Sequence, residues 1–413
     1  MKKSKKKKLI AEIILIVALV IFVISVIFNI GDPEAIWSAI KGAKYRYFAA
    51  AILTLAIYIV VYSISMIILA KSSKVKVKTN DLFLISSCEF FFNGITPGAV
   101  GGQPFQVFAY NQLGVPASKS TGIILSNFLC TMFAQLIISL VSLAFYPLIL
   151  QYAPQMQWVF WLGFIVNTCG TVFFVSLGVS KHIRNAMIKI VNWFCNRKFM
   201  KKHKNASLKF EKYITDAQIA FSECWKNKFA FFMALFSKVC AYAILYSIPF
   251  FILKALNLPV GHAKGEIDAT MIFEIICITS FAMMAGNYIP TPGAAGFLEF
   301  AFMYFFLPII IQTGDTVTVA EQATASAGVL LWRVVTYYIL MIFSLIDYFI
   351  FVKKKHITYT GEDNEEYTTN NEVTNETNDL NTNTVATEES TVDSTLTSEE
   401  ITNSSRELKE DNN

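Results

Sequence analysis

The sequence predicts an all-α, polytopic integral membrane helix bundle, arranged as an inverted repeat with two re-entrant or broken-helix hairpins. Three observations predict it. The chain is 54% hydrophobic with a positive mean hydropathy, a composition that suits lipid rather than water. Several apolar runs reach the ~20 residues that cross a bilayer as a helix. Two stretches between such runs carry the same polar, glycine-rich pattern, Thr-Pro-Gly-Ala-x-Gly, at Thr96–Gly101 and Thr291–Gly296. An unpaired backbone group in lipid costs several kcal/mol, so helix-breaking Pro and Gly belong where protein or a water-filled cavity satisfies the freed groups. Two matched breaks therefore point to one site.

The elements follow in order. Residues 1–8 are a basic N-terminus, predicted to be cytoplasmic, followed by the apolar run Leu9–Ile30. That run exceeds the ~7–15 residues of a signal-peptide core and reads as an uncleaved first span. Phe48–Ala70 is the second span, ending in Lys71, Lys74, Lys76 and Lys78, which the positive-inside rule assigns to the cytoplasm. Leu82–Phe92 and Phe105–Leu113 flank the first break, and neither crosses comfortably alone. Ser120–Leu150 and Trp158–Val179 are spans joined by an uncharged loop, Gln151–Gln157, expected outside.

Residues 180–228 form a basic segment, predicted cytoplasmic. Within it Phe210, Ile214, Ala217, Phe221 and Trp225 recur at helical spacing, an amphipathic face that either packs under the bundle or lies on the membrane. Phe229–Leu256 is a span. Ala269–Met284 and Phe297–Ile311 flank the second break, and Ala323–Val352 crosses and ends at Lys353-Lys354-Lys355. Residues 9–355 thus make one transmembrane domain. From residue 356 to 413 the chain is rich in Asn, Thr and Glu with few aromatics, and it is predicted to be a disordered cytoplasmic tail.

Parity constrains the breaks. The loops at Lys71, Lys181 and Lys353 share the cytoplasmic side, so each break contributes either no crossing or two. With none, the first is a hairpin entering from the cytoplasm and the second a hairpin entering from outside, which is an inverted repeat with broken helices meeting near the midplane. Lys41, Lys44 and Arg46 run against this orientation, which sets them outside.

Several function classes lack support. The seven cysteines and four histidines are scattered without metal-ligand spacing. No H-E-x-x-H, G-x-S-x-G or Walker A pattern occurs. No catalytic residue, metal or cofactor is expected. The basic surplus within the net charge of +5 is juxtamembrane, so it speaks for orientation and anionic lipid rather than nucleic acid.

Ionisable residues at membrane depth are costly, and they are paired or functional. Here they are Glu89, Lys238, Glu274, Glu299, Arg333 and Asp347. Arg333 suits a phosphate, because its planar fork is always charged and bonds in pairs. Helix N-termini after Pro97 and Pro292 offer backbone N–H groups to the same anion. The candidate headgroup site is therefore Asn93, Thr96, Pro97, Gly98, Gly101, Gly102 and Gln103 on one side. Asn287, Thr291, Pro292, Gly293, Gly296, Glu299 and Arg333 form the other. Glu89, Lys238, Glu274 and Asp347 make a candidate charge network. The alternative is that these charges only fix packing, Arg333 with Glu299 or Glu89, and Asp347 with water or Lys353. Likewise Gly101, Gly102 and Gly296 are open to a plain role in close helix approach.

At these motifs the chain resembles the lysylphosphatidylglycerol synthase membrane-domain family, also described as flippase-like. Both breaks resemble its Pro-Gly-Gly-x-Gly motifs, and Leu330–Tyr337 resembles its late Arg-containing helix. The similarity covers roughly residues 9 to 352. Gln103 stands where the family often has Glu, which removes a proton carrier from that position, and Ala99 and Ala294 replace family glycines. The resemblance implies a membrane lipid translocase that moves an anionic or aminoacylated phospholipid between leaflets of a bacterial-type plasma membrane. The enzyme alternative is a phosphatidylglycerol lysyltransferase using lysyl-tRNA, for which the short polar tail offers no catalytic core. A third reading is a scaffold for a separate lipid-modifying enzyme.

Overall fold

Runs of Leu, Ile, Val, Phe and Ala leave the helix as the one local structure that satisfies its own backbone in lipid, and in the computed structural model every regular element among the described residues is helical. The structure describes residues 33–144, 157–182, 225–257, 269–286, 289, 291–310 and 318–355, with scattered positions between 185 and 222. The first predicted span, the loops 151–156 and 258–268, Phe210 and Ala217, and the tail 356–413 lie outside them. So does Asn287. The chain divides at residue 356 into two units, and the second falls wholly in that tail.

Helix α1 is Pro33–Lys41, α2 Tyr45–Ser72, α3 Thr79–Ile95, α4 Gly102–Asn111, α5 Ala117–Ala144 and α6 Gln157–Val179. Then come α7 Lys228–Tyr246, α8 Ile248–Ala255, α9 Ala269–Gly286, α10 Phe297–Ile310 and α11 Val319–Arg333. A π-helical turn, Val334–Ile339, leads into α12, Leu340–Lys355. Among the described residues four helices are long and apolar enough to cross a membrane: 45–72, 117–144, 228–255 and 319–354. Two of these are interrupted where the sequence suggests continuous spans. Pro249 has no N–H to give the preceding turn and separates α7 from α8, and the π turn follows Arg333 directly.

The core of the bundle is α2 against α7, with α5 and α3 beside them. Small polar groups let these helices approach: Ser237 Oγ donates to the carbonyl of Val61 at 2.6 Å, and Ser65 to Asn127 Oδ1 at 3.0 Å. Exposed Phe, Ile and Leu cover the outer faces of α2, α6, α7 and α12, as expected where lipid is the solvent. In the basic segment Phe221 is buried and Trp225 stacks on Phe231 of α7, so this part of the amphipathic stripe faces protein. Helix α1, which the hydropathy pattern does not single out, buries Ile36 and packs on α11.

Two contacts fix which ends share a face. Lys354 of α12 pairs with Asp81 of α3 at 2.8 Å, bringing the Lys71–Lys78 loop and the end of the last helix together. The N–H of Lys44 donates to the carbonyl of Ala255 at 2.7 Å, which joins the start of α2 to the end of α8. With ten residues, α4 is about 15 Å long. That is half of a ~30 Å hydrocarbon core, so the second arm of the first hairpin does not cross.

Helix α3 carries an insertion from its neighbour. Ser344 Oγ of α12 accepts from the N–H of Phe91 at 2.8 Å and donates to the carbonyl of Ser87 at 2.6 Å. Those two groups are i, i+4 partners, so the hydroxyl bridges into the ladder of α3, a recognised cause of helix bending. Asp347, one turn along, accepts from Ser87 Oγ rather than standing alone near the helix end. Ser344→Ala strips both backbone groups of this partner at a buried position and should cost about 1–3 kcal/mol, read as a lower unfolding midpoint of the detergent-solubilised protein.

Candidate functional site

Both breaks fold into the same turn for the same local reasons. A residue before proline is pushed to extended backbone, and Thr96 (φ −105°, ψ 140°) and Thr291 (φ −106°, ψ 148°) both adopt it. Pro97 and Pro292 then start one turn of 3-10 helix. Gly98 (φ 68°, ψ 15°) and Gly293 (φ 61°, ψ 21°) reverse the chain in the left-handed region. The next residues, Ala99 (φ 52°) and Ala294 (φ 51°), are left-handed too, at roughly 1–2 kcal/mol each for an L-residue. The two turns touch each other.

Their freed backbone groups are satisfied differently. In the first break the N–H of Gly101 donates to Thr96 Oγ1 at 2.9 Å and that of Gly102 to Asn93 Oδ1 at 2.8 Å. Side chains of the break itself thus take the amides that the sequence offers to a phosphate. In the second the N–H of Gly296 donates to Glu299 Oε2 at 2.7 Å, the reach-back half of a capping box. Tyr337, on the π turn, clasps the two breaks. Its Oη donates to the carbonyl of Gly94 at 2.9 Å, and its ring lies where a Cβ on Gly293 would stand.

Beside the turns lies a cavity of about 220 Å³, far above the ~10–15 Å³ that one water needs. The first break contributes Asn93, Gly94, Gly98 and Ala99, and the second Thr291, Gly293 and Ala294. Arg333 and Tyr337 line it from the late helix, and Tyr58, Tyr62, Tyr242 and Tyr246 form a wall from α2 and α7. Thr96, Gly101, Gly102, Gln103, Pro292, Gly296 and Glu299 stand behind this surface rather than on it. Gln103 is half-buried on the first turn of α4.

Arg333 is 4% exposed. Its Nε lies 2.6 Å from Glu299 Oε1, an ion pair by distance that is not aligned as a hydrogen bond. Nη2 has no hydrogen-bond partner. One end of the guanidinium is therefore held by a carboxylate that also caps α10, while the group as a whole lines the cavity.

A second polar cluster sits at the tyrosine wall. Glu89 accepts from Gln106 Nε2 at 2.9 Å, Tyr62 Oη at 3.3 Å and Asn93 Nδ2 at 3.4 Å. Lys238 is fully buried, with Nζ 2.9 Å from the centroid of the Tyr62 ring. Of the candidate charge network, Glu89 and Lys238 thus meet around Tyr62, whereas Asp347 is engaged by Ser87 and Glu274 is buried on α9. Sequence reading missed the tyrosines, Gln135 and Thr279, because a Tyr inside an apolar run reads as membrane-helix filling. Tyr58, Tyr62, Tyr242 and Tyr246 do fall at i, i+4 spacing on their helices, which was the available signal.

Residues 10–344 match the family described as the lysylphosphatidylglycerol synthase TM region. The chain is also similar to the uncharacterized protein MG306 homolog of Mycoplasma pneumoniae, 24% identical over 62% of this chain. It is 23% identical to the uncharacterized protein MG306 of Mycoplasma genitalium over 63% of this chain. The match spans 65% of the first relative's length and 67% of the second's.

The glycines separate by what surrounds them. A Cβ on Gly101 would stand 2.6 Å from the carbonyl oxygen of Phe92 and from Thr96 Cγ2, whereas one on Gly98 meets open space. Gly101→Ala should therefore lose the monodisperse peak in size-exclusion chromatography or fall by about 3 kcal/mol. Gly98→Ala should stay monodisperse and lose only about 1–2 kcal/mol, the cost of its backbone conformation.

Proposed function

The chain belongs to the lysylphosphatidylglycerol synthase transmembrane-region family, and from that premise we propose that it is a lipid translocase of a bacterial-type plasma membrane. It carries the headgroup of an anionic or aminoacylated phospholipid through the cavity between its two breaks while the acyl chains stay in lipid. The observation that carries this reading is Arg333. A guanidinium at 4% exposure, with Nη2 unpartnered on the wall of a cavity, is costly until an anion completes it. A lipid phosphate supplies that anion, because guanidinium and phosphate match in geometry and charge.

The division of labour follows from the contacts. Glu299 holds Arg333 from one side and caps α10 from the other, so the guanidinium has a fixed position before a headgroup arrives. Asn93 and Thr96 hold the first turn closed by taking its amides. Their role is to shape the turn, and the phosphate is left to Arg333. The Ser344 hydroxyl bridging into the ladder of α3 and the π turn after Arg333 lie on the two segments that flank the cavity, and both give the backbone a place to yield when a headgroup passes.

Removing Arg333 alone leaves Glu299 buried and uncompensated, which by itself costs about 3–5 kcal/mol. The informative variant is the neutral pair Arg333→Gln with Glu299→Gln. Reconstituted in liposomes, it should insert and stay monodisperse, yet its translocation of an acyl-labelled anionic lipid should fall to the level of protein-free vesicles. Wild-type rates in that variant would remove Arg333 from the mechanism. No acceleration by the unaltered protein with any anionic or aminoacylated lipid would sink the translocase reading.

A further inference from the structure

The cavity is asymmetric in what it offers a headgroup. Arg333 is the single charged residue on its described lining. The remaining polar groups are neutral: Asn93 and Thr291 from the breaks, Gln135 and Thr279 from α5 and α9, Thr336 and Tyr337 from the π turn, and the tyrosine wall. Thr279 is 2% exposed, and its Oγ1 makes no hydrogen bond, an orphan hydroxyl at the edge of an empty space. A buried hydroxyl left unmade is a cost that a ligand hydroxyl or oxygen removes.

Among the described lining residues an amine-terminated headgroup finds no counter-ion. No carboxylate lines the cavity among the described residues. Two carboxylates that touch lining residues are engaged: Glu89 by Gln106, Tyr62 and Asn93, and Glu299 by Arg333 and the N–H of Gly296. Nor do the tyrosines make an open aromatic cage of the kind that holds ammonium ions. The side chain of Lys238 already fills one face of Tyr62, Tyr242 meets Tyr58 and Tyr62 edge-on, and Tyr58 and Tyr62 pack at a tilt against each other and against Phe90. A cation entering this cavity would meet the guanidinium of Arg333 and, among the described lining residues, no carboxylate.

We infer that the headgroup taken by this cavity is a phosphodiester whose other substituent is a neutral polyol or sugar, and that an amine-bearing headgroup is selected against. The inference rests on the translocase reading and narrows its substrate. Arg333 takes the phosphate, and Thr279, whose Oγ1 has no partner, is the group placed to meet a hydroxyl. Discrimination by hydrogen bonding is strong where a site is built to pair a hydroxyl, since an analogue lacking it leaves the site's own polar groups unmade.

The test uses the full chain in liposomes and three lipids with the same acyl-chain fluorophore, read by an external quencher. The lipids are phosphatidylglycerol, phosphatidylethanol, which keeps the singly charged phosphodiester but lacks hydroxyls, and lysylphosphatidylglycerol. The expected order is phosphatidylglycerol fastest, with lysylphosphatidylglycerol slower by at least about tenfold. Lysylphosphatidylglycerol moving as fast as phosphatidylglycerol, or faster, overturns the inference and leaves the translocase reading standing. Phosphatidylethanol matching phosphatidylglycerol overturns the assignment of hydroxyl recognition. Rates equal to protein-free vesicles for all three reject translocation itself. Thr279→Val, near in shape and checked for a monodisperse peak, should slow phosphatidylglycerol several-fold more than phosphatidylethanol; an equal loss for both removes Thr279 from recognition.

Discussion

Backbone groups freed inside a membrane have to be satisfied by the protein, and the rest of this bundle depends on how two broken helices meet that constraint. The first break closes on itself through Thr96 and Asn93, and the second through Glu299. One carbonyl, that of Gly94, is satisfied from outside its own break by Tyr337. Because Tyr337 also packs on Gly293, the same side chain that repairs one break fits into the other. The turns are brought together by this repair, and the space left beside them is the cavity.

The charges follow from the same constraint. Glu299 stands at the third position of α10, where a carboxylate caps the first turn of a helix, and its free oxygen is then aimed at Arg333. Arg333 ends α11 just as the backbone widens into a π turn, a feature that recurs at functional positions in helices. The pair is incomplete by construction, since one carboxylate shared with a backbone amide does not saturate a guanidinium. At the other wall Glu89 is saturated by neutral donors, and Lys238 rests on Tyr62. The protein thus holds one cation ready at the cavity and keeps its carboxylates occupied elsewhere.

The repeat is close in backbone as far as Ala99 and Ala294, after which Val100 is helical and Ala295 extended, and it is looser still in chemistry. With the Thr-Pro-Gly-Ala segments aligned, Phe92 falls opposite Asn287 and Pro104 opposite Glu299. The same turn is therefore capped by different residues on the two sides. Ala99 and Ala294 hold left-handed backbone where glycine would sit without strain, so the turn is imposed by proline, glycine and the surrounding packing together.

The sequence by itself determined the solvent, the helices and the breaks. Apolar length and basic loops act locally, and proline and glycine act on their own backbone, so the spans at 45–72 and 117–144 and both turns were legible without any contact. It also carried Arg333, Glu299 and Glu89 as costly residues that needed partners. Which partner each found was decided by tertiary structure. Arg333 had two carboxylates to choose from and took Glu299; Asp347 met Ser87 of α3. The amides of Gly101 and Gly102 went to Thr96 and Asn93 rather than to a ligand. The tyrosine wall, Thr279 and the clasp of Tyr337 came from helices far apart in the chain. Spacing records what a residue does to its own helix; only packing determines what faces it across a cavity.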